Sequence, residues 1–455
     1  MINTAESTHH VFSLSSALGI APLWVAGTIL AVIYIFLIFE DKLKINQAVL
    51  AMIGAALMVV LGVINQKQAV EGIDFNTMAL LIGMMIVVSI TGQSGMFQYV
   101  AIKSAKLVNA NPMGILLMLT LVTAVFSAML DNVTTVLLIA PVTLLISDAL
   151  GLKVFPFFFA EIFASNIGGT ATLIGDPPNI IIGSEAGLAF NDFLYHLLPI
   201  SLISMVVLVI VFYLVYKDAL GTTPKARQMI MEFREKEAIT DATLLKKSLL
   251  VIFLVILGFT VGHNYGIEPG TSALTGGGLL MLLAFGRKPK ETQAGKIHEI
   301  FSEVEWGTIF FFAGLFIIVA GVQSTGILNT MGQQLLELTK DDLMTTTFLV
   351  LWISGLLSVF FNNIPFVVTM LPLIQATAPT FGGEQAIEPL WWALALGACF
   401  GGNGSLIGAS ANLTVAAFAE KAKQPISFQY FFVRAFPLTV LTLILSNIYI
   451  WLRYF

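Results

Sequence analysis

An all-α polytopic membrane protein with two related halves of inverted orientation is the fold class predicted here, and three observations predict it. The chain is 57% hydrophobic and only 11% charged, with a mean hydropathy of +0.91, whereas soluble domains carry roughly 25% charged residues. Apolar runs long enough to cross a bilayer recur from end to end. One of them, 154–187, is interrupted between Gly168 and Asn179 by glycines, threonines, Asp176 and the Pro177-Pro178 pair. Proline removes a backbone donor and glycine lowers helix propensity by about 1 kcal/mol, so this is poor helix material. Unwound backbone survives in a membrane only where protein or a water-filled cavity satisfies it. The interruption therefore marks a candidate solute site.

In chain order, residues 1–18 are predicted to be an extracytoplasmic N-terminal segment. The first half, 19–217, begins with spans at 19–38, 46–63 and 76–95. Two shorter apolar pieces, 112–130 and 133–148, meet at Asp131-Asn132 and predict a re-entrant hairpin over 112–148. The broken helix 154–187 and a span at 195–216 complete this half. A linker at 218–247, rich in both signs of charge, predicts a solvated cytoplasmic connector. The second half, 248–455, repeats the order with runs at 248–263, 272–286 and 307–326, a hairpin at 342–378, a broken helix at 389–420 and a span at 429–452. Segments 96–111 and 327–341 are too polar to span and predict interfacial helices.

The repeat is visible by offset. A shift of 231 lays Thr77, Gly83 and Gly95 on Thr308, Gly314 and Gly326, and Ser127, Asn132 and Pro141 on Ser358, Asn363 and Pro372. A shift of 233 lays Gly168-Gly169 on Gly401-Gly402 and Asn179 on Asn412. With each hairpin re-entrant and the linker cytoplasmic, 19 of the 22 lysines and arginines fall inside, leaving Lys67, Lys340 and Arg453 outside. That bias follows the positive-inside rule. Five crossings per half then make the halves inverted. The expected location is the cytoplasmic (inner) membrane, in contact with lipid, with both termini outside.

Composition excludes other classes. A single cysteine, Cys399, is incompatible with an internal disulfide or a multi-thiolate metal site. It aligns with Asn166 and reads as a small packing residue. The five histidines have no metal-ligand spacing within a helix, and no helix-spaced dyad points to an enzyme. No nucleic-acid partner is expected, because no basic patch is interleaved with aromatics. No cofactor is expected beyond a coupling H⁺ or Na⁺.

The candidate site residues lie at the two hairpin tips and the two breaks. They are Asp131, Asn132, Thr134 and Thr135 at the first tip, and Asn166, Gly168, Gly169, Thr170, Thr172, Asp176 and Asn179 at the first break. The second half supplies Asn362 and Asn363 at its tip and Asn403, Ser405, Ser410 and Asn412 at its break. Helix ends inside a membrane leave N–H and C=O groups that hold anions or polar solutes at one end and cations at the other. Asp131, Asp176 and Glu161 are the acidic residues expected at membrane depth, where a carboxylate costs roughly 2.5–3.5 kcal/mol and is usually functional. Burial disfavours the charged form, which makes these three the proton-coupling candidates. Asp131 and Asp176 also suit helix capping, and Glu161 suits a place near the cytoplasmic headgroups. Asn362 and Ala409 stand where the first half has Asp131 and Asp176, so acidic chemistry is confined to the first half.

Asp131-Asn132-Val133-Thr134-Thr135, the run Ser165 to Asn179 and Asn362-Asn363-Ile364-Pro365 resemble the ion transporter superfamily. Among its branches they are most similar to the ArsB/P-type permeases, with citrate-transporter-like sodium symporters and NhaD-type antiporters as relatives. The resemblance implies an elevator-type carrier in a homodimer, with Na⁺ sites at Asn132 and Asn363 beside the Gly168–Thr172 and Gly401–Ser405 loops. It implies H⁺- or Na⁺-coupled secondary active transport of a small inorganic or organic solute by alternating access, with export of arsenite or a similar small oxyacid as the first reading. The alternative is Na⁺/H⁺ antiport of the NhaD type. Na⁺/dicarboxylate symport is disfavoured because the tips lack the Ser-Asn-Thr of the symporters and Asp131 would repel a dianion.

Overall fold

The computed structural model describes residues 21–38, 43–286 and 289–455. The 1–18 segment and three of the counted basic residues, Lys42, Arg287 and Lys288, lie outside the described residues. Among the described residues the regular structure is helical throughout, and eight helices are long and apolar enough to cross a membrane.

The helices run α1 (Pro22–Ile38), α2 (Gln47–Val60), α3 (Gln66–Glu71), α4 (Phe75–Gly92), α5 (Met96–Leu107), α6 (Pro112–Met129), α7 (Asn132–Ala149), α8 (Phe155–Thr170), α9 (Pro177–Glu185), α10 (Phe190–His196) and α11 (Leu198–Tyr216). After α12 (Pro224–Glu232) in the linker come α13 (Ala242–Val261), α14 (Pro269–Phe285), α15 (Lys290–Glu303), α16 (Trp306–Ser324), α17 (Ile327–Thr339), α18 (Leu343–Phe360), α19 (Asn363–Gln375), α20 (Ala378–Phe381), α21 (Glu388–Gly401), α22 (Ser410–Lys421) and α23 (Phe428–Tyr454). Each predicted apolar run is a helix, and both broken runs are broken, at 171–176 and 402–409. Local chemistry sets the ends. Asn111, Asp131, Asp241 and Asp342 each accept a backbone N–H of the helix they precede, and Pro112, Pro177 and Pro269 occupy first-turn positions where no donor is lost.

The chain forms two compact units: residues up to Asp74 with Trp306–Leu335, and Phe75–Glu305 with Leu336–Phe455. In the first, α16 packs on α2 so closely that a Cβ on Gly314 would lie 2.6 Å from the Ala51 carbonyl carbon. In the second, α4 packs on α14, and a Cβ on Gly83 would collide with the Ala273 backbone. Gly83 and Gly314 are the pair related by the shift of 231, so each unit repeats the same glycine-mediated contact with the halves exchanged.

The structure departs from or adds to expectation in three places. The helix predicted to start at 248 begins at Ala242, because Asp241 accepts from Thr243 N (2.8 Å) and Leu244 N (2.9 Å). Residues 290–303, which lie between the predicted apolar runs, form α15, a charged helix that buries Ile300. The linker is not a free solvated connector. Lys106 Nζ donates to Glu235 Oε2 (2.7 Å) and to the Phe233 carbonyl (3.0 Å), which holds the Glu235 carboxyl below its usual range. Thr240 N donates to the Ser94 carbonyl (3.0 Å). Gly95, at φ +79°, has no room for a side chain against the Ala238 carbonyl.

The start of α21 is tied to the ends of α10 and α23. His196 Nε2 lies 3.1 Å from Glu388 Oε1, Trp392 Nε1 donates to the same oxygen (3.0 Å), and the imidazole stacks on Trp392 and bonds Tyr454. Burial lowers the His196 value below 6.5, against the opposite pull of Glu388 and Asp192 and with that of Arg453. The neutral ring is thus the folded form, so its stabilisation is present above about pH 6.5 and is lost as pH falls through the lowered value. We expect the melting temperature of the wild type to fall on acidification more steeply than that of His196→Gln, in scanning fluorimetry from pH 8 to pH 5.

Candidate solute and cation site

The two hairpins and the two broken helices meet in the second unit. Close approach of backbones makes this possible. A Cβ on Gly168 would collide with the Ala124 carbonyl of α6, and one on Gly401 would collide with the Gly355 carbonyl of α18. A Cβ on Gly169 would collide with the Gly175 carbonyl across the first break. Each broken loop is then tied to its hairpin by a hydroxyl: Thr172 Oγ1 donates to Ala128 O (2.7 Å), and Ser405 Oγ donates to Val359 O. Ser127 Oγ adds a bond to Ser165 O (2.6 Å).

Side-chain amides satisfy the unwound carbonyls. Asn179 Nδ2 donates to Thr170 O (3.0 Å) and Thr172 O (2.9 Å). Its counterpart Asn412 donates through Nδ2 to Gly402 O (2.7 Å) and Ser405 O (2.8 Å). The two breaks are then joined. Asn166 Nδ2 donates to Asn412 Oδ1 (3.0 Å) and Asn403 Oδ1 (3.1 Å). In the opposite sense across this pseudo-symmetric pair, the Cys399 thiol of α21 donates to Asn179 Oδ1 (3.6 Å) and faces Thr170 and Asp176. Asn132 Nδ2 completes the network by donating to Asn166 Oδ1 (3.1 Å) and Asp176 Oδ1 (3.2 Å).

The pseudo-symmetry breaks at the acceptors of Asn132. Where the first half has Asn166 and Asp176 as acceptors for Asn132, the second has Cys399 and Ala409. Asn363 Nδ2, the counterpart of Asn132 Nδ2, is accordingly buried without a partner, as is Asn403 Nδ2. In the first half the unpartnered buried atoms include the oxygens Asn132 Oδ1, Asp176 Oδ2 and Thr135 Oγ1. The first half-site offers amide and carboxylate acceptors and the second offers amide donors, with an unpartnered hydroxyl on each side, Thr135 Oγ1 and Ser358 Oγ.

The other candidates stand as follows. Asp131 is 8% exposed and caps α7, accepting from Thr134 N (2.7 Å) and Thr134 Oγ1, and it lies close enough for its charge to act on Asp176. Asn362 caps α19 through Ile364 N (3.2 Å). Ser410 opens α22 at partial exposure, outside the amide network. Glu161 lies inside the protein rather than at its surface. It is 1% exposed between α7 and α8, with one oxygen accepting from Thr143 and the other unpartnered, and it does not join the network. Sequence reasoning set Cys399 aside as packing, although the shift of 233 that aligns it with Asn166 is the signal of its central place.

A family model described as Citrate transporter (CitMHS) matches residues 34–397. A protein of Mycobacterium tuberculosis described as an uncharacterised transporter is 42% identical over 95% of this chain and 98% of its own length. The 46 kDa membrane protein of Mycobacterium leprae is 42% identical over 94% of this chain and 98% of its own. The P protein of Homo sapiens is 32% identical over 94% of this chain, which spans 59% of that protein. Among solved structures, the YdaH transporter of Alcanivorax borkumensis superposes with a TM-score of 0.57 at 12% identity, covering 89% of this chain and 96% of its own. MtrF of Neisseria gonorrhoeae superposes with a TM-score of 0.52 at 11% identity, over 84% of this chain and 82% of its own. These two likenesses are of fold, and they agree with the ion transporter resemblance of the motifs. With its apolar helices and polar breaks, the chain is an integral membrane transporter, not an enzyme, and belongs to the citrate transporter (CitMHS) family.

Proposed function

We propose that the protein is an ion-coupled secondary carrier for a small, hydroxyl-rich oxyacid, best represented by arsenite as its neutral trihydroxide, driven by H⁺ or Na⁺. The observation that supports this reading is the set of unpartnered buried atoms at the breaks and hairpins, amide and carboxylate oxygens in the first half-site, amide nitrogens in the second, and a hydroxyl in each, Thr135 Oγ1 and Ser358 Oγ. Each such atom costs about 1–3 kcal/mol when left unpaired, and a ligand that both donates and accepts completes both sets. The coupling follows from Asp176. An unpaired carboxylate in lipid costs roughly 2.5–3.5 kcal/mol even on the lenient scale, so a proton or a sodium ion has to neutralise it before the site moves. Na⁺ would sit at Asn132 with Asp176, and the matching place at Asn363 suits solute oxygens. A polyanion such as citrate is a poor match, because the network joins amides, a thiol, a carboxylate and backbone carbonyls, with no basic side chain in its hydrogen bonds.

The helix-for-helix correspondence and the exchanged glycine contacts support inverted repeats and alternating access by an elevator-type motion. The charge bias supports a cytoplasmic-membrane location with the linker inside and both termini outside. A homodimer is the expected assembly. A second reading, Na⁺/H⁺ antiport, is favoured by the two carboxylates Asp131 and Asp176 standing without a basic partner. Solid-supported-membrane electrophysiology across Na⁺, pH and an oxyacid panel tests both. Arsenite-evoked currents that depend on pH or Na⁺ are expected. Na⁺-driven proton release indifferent to arsenite would establish the second reading, and citrate-evoked current without any arsenite response would overturn both.

A further inference from the structure

A cleft of about 430 Å³ opens between α4, α7 and the end of α15, room for on the order of ten waters at roughly 30 Å³ each. Its lining runs along α4 from Gln93 down to Met85, eight residues or about 12 Å at 1.5 Å per residue. It ends at Thr134, whose hydroxyl and amide both bond Asp131. At the other end stand Glu303 and Glu305. Ser89 Oγ donates to Glu303, and Gln93 Nε2 donates to Glu299 (3.4 Å), which also pairs with Lys296 (2.6 Å). Gln93 is the residue whose carbonyl accepts from linker Thr240 (2.5 Å), so the mouth opens on the linker face. The lining is mixed, with Ser89, Gln93, Thr134, Glu303 and Glu305 set among Met85, Val88, Leu137 and Leu138, and carboxylates and amides beside a spanning helix are costly in lipid unless water reaches them.

We propose that this cleft is the aqueous route by which a hydrated monovalent cation reaches Asp131 from the linker face, and that Glu303 at its mouth concentrates that cation. The inference rests on the cation-coupled reading above, deepening it with a route and a residue. The Lys296 charge is taken up by Glu299, and Glu303 accepts from the neutral Ser89 hydroxyl, so among the described residues that line the cleft the charge is negative. Narrow clefts lined by one sign of charge raise local counter-ion concentration by about 10- to 1,000-fold.

The chain's only cysteine, Cys399, is fully buried, so the wild-type protein is its own labelling blank. Leu137→Cys and Leu138→Cys place thiols in the cleft, and Met229→Cys on exposed α12 marks the linker face. Membrane-impermeant methanethiosulfonates, one cationic (trimethylammonium) and one anionic (sulfonate), are applied to each face of proteoliposomes. The cleft cysteines are expected to react from the same face as Met229→Cys. Their preference for the cationic reagent should exceed that of Met229→Cys by about tenfold, and Glu303→Gln should bring it close to parity. No reaction, reaction only from the opposite face, or a preference unchanged by Glu303→Gln would overturn the proposal. Because the readout is labelling, a flux assay without cation coupling but with this pattern intact would sink the coupled-carrier reading and uphold the route.

Discussion

Asp176→Asn is expected to yield a folded, monodisperse carrier whose cation-coupled flux is reduced roughly 10- to 150-fold, the equivalent of losing a charged hydrogen-bonding ligand worth about 1.5–3 kcal/mol. Asp176 is 1% exposed, with Oδ1 accepting from Asn132 and Oδ2 unpartnered. The amide preserves shape and, through its oxygen, the bond to Asn132. It removes the only charge in direct hydrogen-bond contact with that network. Flux and size-exclusion profiles measured side by side decide the matter. Loss of flux with a normal profile and with the dependence on pH or Na⁺ abolished supports the role of Asp176. Wild-type flux with the same ion dependence would remove it, and would shift the coupling to Asp131.

Gly168→Ala and Gly401→Ala are expected to cost folding rather than chemistry. Alanine improves helix propensity by about 1 kcal/mol, which alone would stabilise α8 and α21. Against this, each new methyl would meet a backbone carbonyl, Ala124 in one case and Gly355 in the other. Backbone cannot rotate away as a side chain can, and overpacking of this kind costs about 1–3 kcal/mol or more. The collision outweighs the propensity. Both variants should melt several degrees below the wild type in detergent, and the Val variants should give no monodisperse peak. Gly151→Ala, where nothing lies within reach of a Cβ but φ is +68°, is expected to do much less harm to packing. Equal melting temperatures for wild type and Gly168→Ala would show that the hairpin and broken helix are not in the described contact.

Helix positions were legible because a bilayer demands long apolar runs, and the breaks were legible because no other use explains Pro177-Pro178 beside Asp176 in such a run. The hairpin tips were legible from Asp131 and Asn362, each preceding a new apolar stretch and each capping the following helix. What escaped was long-range and polar. The charged residues of the linker look alike whether solvated or docked, and the partners that distinguish the two are far away in the chain, as Lys106 is 129 positions from Glu235. Glu161 could not be placed because a carboxyl near a span end and one sealed by Thr143 have the same sequence neighbourhood. The Asn166–Asn412 bridge joins residues 246 positions apart, and local pattern carries no information about which amide finds which.

The departure from two-fold symmetry at Cys399 and Ala409 has an evolutionary meaning. A duplicated ancestor with identical halves would have carried two interchangeable pockets, each equally suited to the same guest. Cys399 and Ala409, in place of an asparagine and an aspartate, set the pockets apart together with Asn362 in place of an aspartate and Asn403 in place of a threonine. Installing Cys399→Asn and Ala409→Asp together would give Asn363 the two acceptors that Asn132 has, while Asn362, Pro365 and Asn403 would still stand where the first half has Asp131, Thr134 and Thr170.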